Sequence, residues 1–157
     1  MSAMPPFPRL LGFAGLLPQF ACALAVWFGP DEWRWTALAV GWAYAALIFT
    51  FLGGMWWGMA AASPDEARRA PAWIWVAAVT PSLIALATYL PWVVGVTWPG
   101  PSLVILAIGI LLSPLVDRRL VTIRPGWWMR LRVPLSLGLG AATLALALAE
   151  GMLVFDG

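Results

Sequence analysis

The chain has 157 residues, 62% of them hydrophobic and only 10% charged. A soluble domain is about a quarter charged, so this composition excludes a water-soluble globule and points to one domain, residues 1–157, dissolved in lipid. All nine basic residues are arginine, there is no histidine, and the net charge is +2. That combination removes the commonest metal ligand and the usual general base near neutral pH. It also gives no reason to expect nucleic acid as a partner, because the arginines sit in loops between apolar spans, where basic residues orient a membrane protein.

The first apolar span is predicted over about 9–28. It resembles a signal peptide in part, with one arginine, a hydrophobic stretch and Ala21-Cys22-Ala23 near its end, but its length suits a full crossing and it is read as uncleaved. Cys22 has no partner for an internal disulfide and is expected as a small apolar residue in a helix. Pro18 removes the hydrogen bond to the carbonyl of Ala14 and predicts a kink. Gln19 beside it is a packing residue first and a ligand or partner contact second.

A polar turn at 29–34 leads to a second span over about 35–60. Here Gly54 and Gly58, four apart, share a helix face and are expected to let a neighbouring backbone approach. Gly41 and Ala45 form a similar small pair, and Tyr44 is expected to donate a hydrogen bond between helices. Trp57 is a possible ligand or partner contact. After an aqueous loop the third span covers about 72–90, with Thr80-Pro81-Ser82 at its centre. The proline frees the carbonyl of Ala77, and the hydroxyls of Thr80 and Ser82 can bond to backbone or face a ligand.

The fourth span is short, about 102–116, before Asp117. The loop that follows holds Arg118, Arg119, Arg124, Arg130 and Arg132, all expected at anionic lipid headgroups. Asp117 reads as part of a charge cluster at the helix end, open to pairing with loop arginines. The last span covers about 133–155. Gly138 and Gly140 are expected at a helix contact, and Glu150 lies near its far end as a candidate partner contact. An ionisable residue inside the membrane is a functional candidate by default.

Five spans place Arg9, Arg68, Arg69, Arg118, Arg119, Arg124, Arg130 and Arg132 on one side and only Arg34 on the other. A re-entrant fourth segment would lose that bias. The chain is then expected to be an all-α, five-span transmembrane bundle, and the positive-inside rule orients it with the N-terminus in the cytoplasm and the C-terminus in the periplasm or its equivalent. Of the tryptophans, all but Trp42 lie near predicted span ends, as an aromatic belt requires; a stacking surface for a quinone or pigment is the alternative.

The run from Tyr44 through Phe51-Leu52-Gly53-Gly54-Met55-Trp56-Trp57-Gly58, followed by Trp75, Thr80-Pro81-Ser82-Leu83, Asp117-Arg118 and Trp127-Trp128-Met129-Arg130-Leu131-Arg132, resembles a small membrane family of unknown function whose eukaryotic members include mitochondrial transmembrane protein 69. The resemblance implies a five-helix protein of a bacterial inner or mitochondrial membrane and brings no activity with it. Many relatives carry a polar or basic residue where this chain has Trp56.

No paired carboxylates at catalytic spacing, nucleophile elbow or phosphate-binding glycine loop is present, so neither a catalytic residue nor a metal or cofactor is expected. The function expected is a non-catalytic accessory or assembly subunit of a respiratory or photosynthetic complex, binding lipid and other membrane subunits. The alternative is a small carrier or channel for an apolar or weakly polar solute, with Gln19, Thr80 and Ser82 around a cavity.

Overall fold

A computed structural model of the protein describes residues 4–63, 70–95 and 99–155, with side chains to residue 149. Six helices follow in order: α1 Pro6–Ala14, α2 Leu17–Phe28, α3 Asp31–Ala61, α4 Trp73–Val93, α5 Gly100–Arg119 and α6 Trp128–Phe155. Among the described residues there is no strand. Five stretches are long and apolar enough to cross a membrane, α1 and α2 together forming the first. The protein is a multi-pass membrane protein, as its composition requires.

The kink expected at Pro18 is a break three residues earlier. Proline has no N–H to give and is tolerated in the first turn of a helix. The chain ends α1 at Ala14 and restarts at Leu17, which puts Pro18 in the opening turn of α2. The break leaves the Gly15 carbonyl without a helical partner, and the Tyr44 hydroxyl on α3 donates to it.

The fourth span is longer than the sequence predicts. α5 is a 20-residue helix, which at 1.5 Å per residue is about 30 Å, enough for a full crossing. It gains residues at both ends. Asp117 does not end it in water, because that side chain is fully buried and the helix runs on to Arg119. Pro114 stands inside it without ending it. α3, with 31 residues, is about 46 Å long and exceeds the hydrocarbon thickness.

α5 lies along α6, α3 lies along α4, and α2 wedges between α3 and α6. One core cluster centres on Phe49, Leu52, Trp56, Leu106 and Ile110, and a second on Val26, Leu38, Leu103 and Leu146. Glycines mark several close approaches between helices, two of which fix neighbours of the core. A Cβ on Gly53 would run into the carbonyl of Ala78 and the ring of Pro81, so α4 packs its proline turn directly on the α3 backbone. A Cβ on Gly140 would lie 2.5 Å from Leu111, which seats α5 against α6.

Candidate functional site: a buried aspartate and the groove beside it

Residues four apart share a helix face. On α5 this aligns Ser113 with Asp117; on α6 it aligns Trp128, Arg132 and Ser136. Because α5 and α6 pack along each other, the two stripes meet. Asp117 Oδ2 accepts from Arg132 Nε at 2.9 Å. Its Oδ1 accepts from two indoles, Trp128 Nε1 at 3.0 Å and Trp56 Nε1 of α3 at 2.9 Å. Arg132 Nη2 donates to Ser113 Oγ at 3.1 Å. The single hydroxyl proton of Ser113 goes to the Ile110 carbonyl at 2.7 Å. The 3.3 Å contact between the two serines is therefore made by the Ser136 hydroxyl donating.

The result is one carboxylate with three donors from two other helices. Its side chain is 0% exposed and that of Arg132 7%. An isolated charge in lipid is costly, and an ion pair offsets that cost only when its remaining lone pairs and protons are also satisfied. Asp117 meets that condition. Arg132 meets it in part: Nε and Nη2 are bonded, while Nη1 has no hydrogen-bond partner among the described residues.

Arg132 borders a groove of about 390 Å³ between α1, α3 and α6. Leu11, Leu16, Phe51, Met55 and Leu135 form apolar walls, and Trp127, Trp128, Arg132 and Ser136 complete the lining.

A second polar contact lies deeper in the bundle. Gln19, fully buried, donates from Nε2 to Thr143 Oγ1 at 2.9 Å, and Thr143 passes its proton to the Leu139 carbonyl at 2.8 Å. Thr143 thus has no proton for the Gln19 carbonyl, and Gln19 Oε1 is buried without a partner.

The candidate residues read from the sequence do not gather into one site. Thr80 and Ser82 are exposed on α4, on a different side from Gln19, and Thr80 is bonded to the Val76 carbonyl at 2.8 Å. None of the three lines the groove beside Arg132. Trp57 is half-exposed and meets Trp75 edge-on at 4.8 Å. Gly138 lies against Leu16, where a Cβ would come within 3.0 Å. Arg118, Arg119 and Arg130 are exposed and Arg124 is half-buried. The side chain of Glu150 lies outside the described residues, as do Arg68 and Arg69.

Three expectations need correction. Arg132 is not a lipid-facing arginine, because Asp117 draws it into the bundle. Trp56 does not belong to an aromatic belt; it is 3% exposed and its indole N–H is taken by Asp117. Gly54 and Gly58 pack against nothing among the described residues, since a Cβ on either meets open space there. The glycine that receives α4 is their neighbour Gly53. The Asp117 constellation could have been seen in the i, i+4 pairing of Ser113 with Asp117 and of Trp128 with Arg132 and Ser136, joined by opposite charges.

No curated protein and no solved structure matches the chain. Residues 4–148 match the model of a family described as protein of unknown function (DUF3429), and the chain belongs to that family.

Proposed function

We propose that the protein is a non-catalytic accessory or assembly subunit of a respiratory or photosynthetic complex in the bacterial inner membrane. The observation that carries this reading is the outward face of α3. Gly54 and Gly58 are exposed, stand four apart and have no atom of the described residues within 4 Å of where a Cβ would stand. In lipid, where there is no hydrophobic drive between helices, small residues at this spacing are what lets a second helix pack closely. The same chain fills its other glycine clefts from within, at Gly53, Gly41 and Gly140, so the open pair is the place left for a helix from elsewhere.

Other features fit the same role. The buried Asp117–Arg132 pair and its indole donors tie α3, α5 and α6 to one another. Arg118, Arg119 and Arg130 are free to meet anionic headgroups, each worth about 1 kcal/mol near such a surface. Orientation by arginine count puts the N-terminus in the cytoplasm. The resemblance to a small membrane family whose eukaryotic members include mitochondrial transmembrane protein 69 fits an inner-membrane setting. The carrier alternative has less support, because Gln19, Thr80 and Ser82 do not face a common space.

The test is isolation of the tagged chain from its native membrane in mild detergent. A discrete larger assembly with other membrane subunits is expected. The Gly54→Leu/Gly58→Leu variant is expected to lose that assembly while keeping its own fold, since neither glycine touches the chain. A wild-type species that migrates only as a monomer or with copies of itself overturns the proposal.

A further inference from the structure

We propose that the groove between α1, α3 and α6 is a binding site for a neutral, lipid-soluble carbonyl compound of the quinone class. The volume, about 390 Å³, is in the usual range for a small-molecule pocket, and such pockets are mostly apolar with a few placed polar groups. Here the polar lining comes from Arg132 and Ser136. Nη1 is the one guanidinium nitrogen of Arg132 that no described residue engages, and Ser136 Oγ, which donates to Ser113, retains its acceptor lone pairs. Trp127 and Trp128 also line the groove, offering flat apolar surface against which another ring can stack.

Charge selects the kind of headgroup. An arginine in a membrane cleft would ordinarily suggest a phosphate. This one is already neutralised by Asp117 at 2.9 Å, so an entering anion would add a net negative charge among apolar walls, at a desolvation cost nothing repays. A carbonyl oxygen can accept from Nη1 and adds no charge. The apolar remainder of the ligand then lies along Leu11, Leu16 and Phe51.

Gly15 and Leu16, at the break between α1 and α2, line the groove. Gly12 faces the groove from α1, where a Cβ would stand 3.0 Å from Leu135 and 3.3 Å from Leu131; a larger side chain would have to occupy the groove itself. The inference does not depend on a partner subunit, because the walls and the headgroup donor all belong to this chain.

The experiment uses the full chain in nanodiscs of neutral phospholipid. An azido-ubiquinone is photolysed with the protein and the labelled peptides are mapped by mass spectrometry, with decylubiquinone or phosphatidylglycerol as competitor. Saturable label on α1, α3 or the start of α6, displaced by decylubiquinone and not by phosphatidylglycerol, is the expected result. Gly12→Leu should weaken competition by decylubiquinone about tenfold or more, roughly 1.4 kcal/mol, and Leu83→Phe, on the exposed side of α4, should leave it unchanged. If Gly12→Leu fails to fold, Leu135→Trp fills the groove from the opposite wall and should have the same effect. Label spread evenly over the lipid-facing helices, label unaffected by both filling variants, or displacement by phosphatidylglycerol alone would each overturn the proposal. None of these outcomes bears on whether the chain assembles with partners through Gly54 and Gly58.

Discussion

At the scale of single residues, the structure turns on Asp117. Removing one member of a buried ion pair leaves the other charge uncompensated and costs about 3–5 kcal/mol, whereas removing both can be nearly neutral. Asp117→Asn is therefore expected to destabilise the bundle by that order, and Asp117→Asn with Arg132→Gln by less than the two single changes summed, as measured by unfolding in mixed detergent micelles. Equal and additive losses would show that the two groups do not interact. Trp56→Phe is a milder case. It withdraws one donor from a carboxylate that keeps two others, so its cost should fall near the lower end of the about 1.5–3 kcal/mol range for hydrogen bonds to charged groups. The difference between Trp56 and Trp57 was not legible from sequence. Both stand near the end of a predicted span, and both suit an interface. Only the helix register, turning the first inward and the second outward, assigns one to the carboxylate and the other to the surface. Asp117 itself was legible as the charge at the end of a span, but its arginine partner was not singled out. Arg118 and Arg119, adjacent in sequence, point away, and the partner is fifteen residues on.

At the scale of the helix, the same ambiguity of register applies to α3. A helix in a soluble protein shows its buried side by contrast with a polar one. In lipid both sides are apolar, so the sequence of α3 marks the existence and rough limits of a span and says little about which stripe faces the neighbours. Gly53 and Gly54 are adjacent and about 100° apart around the axis; the small-residue spacing singled out Gly54 and Gly58, and the contact belongs to Gly53. The two positions should behave oppositely on substitution. Gly53→Leu drives a side chain into the backbone of α4, where the carbonyl of Ala78 cannot yield by a rotamer change. Overpacking of that kind costs about 1–3 kcal/mol or more. Gly54→Leu meets open space and replaces a poor helix former with a good one, a gain of about 0.5–1 kcal/mol in a helix interior. Thermal unfolding of the purified variants in one detergent checks both signs. A large loss at Gly54 would mean that the α3 register is wrong.

At the scale of the whole molecule, the same charges bear on the number of crossings and on the direction proposed for the first one. α5 is long enough to cross, so the α4–α5 and α5–α6 connections lie at opposite ends of the bundle. The end that holds the N-terminus and the α5–α6 loop carries Arg9, Arg118, Arg119, Arg124 and Arg130; Arg68 and Arg69, outside the described residues, stand in the sequence between α3 and α4 and count toward the same side in the five-span reading. Arg132 no longer counts toward that face, because it is paired inside. Even without it the other end has only Arg34, itself 3.3 Å from Asp31. Seven against one is still a strong bias, and loops this short are the ones in which it acts. Cys22 is buried, so a wild-type background reacts little and single added cysteines can be read. In intact spheroplasts, a membrane-impermeant maleimide should label Asp31→Cys and Val94→Cys and should reach Thr122→Cys only after permeabilisation. The reverse pattern would place the arginine-rich end outside. Equal labelling of Val94→Cys and Thr122→Cys from the outer side would show that α5 does not cross, and with it would fall the five-span count, since both connections of α5 would then face the same compartment.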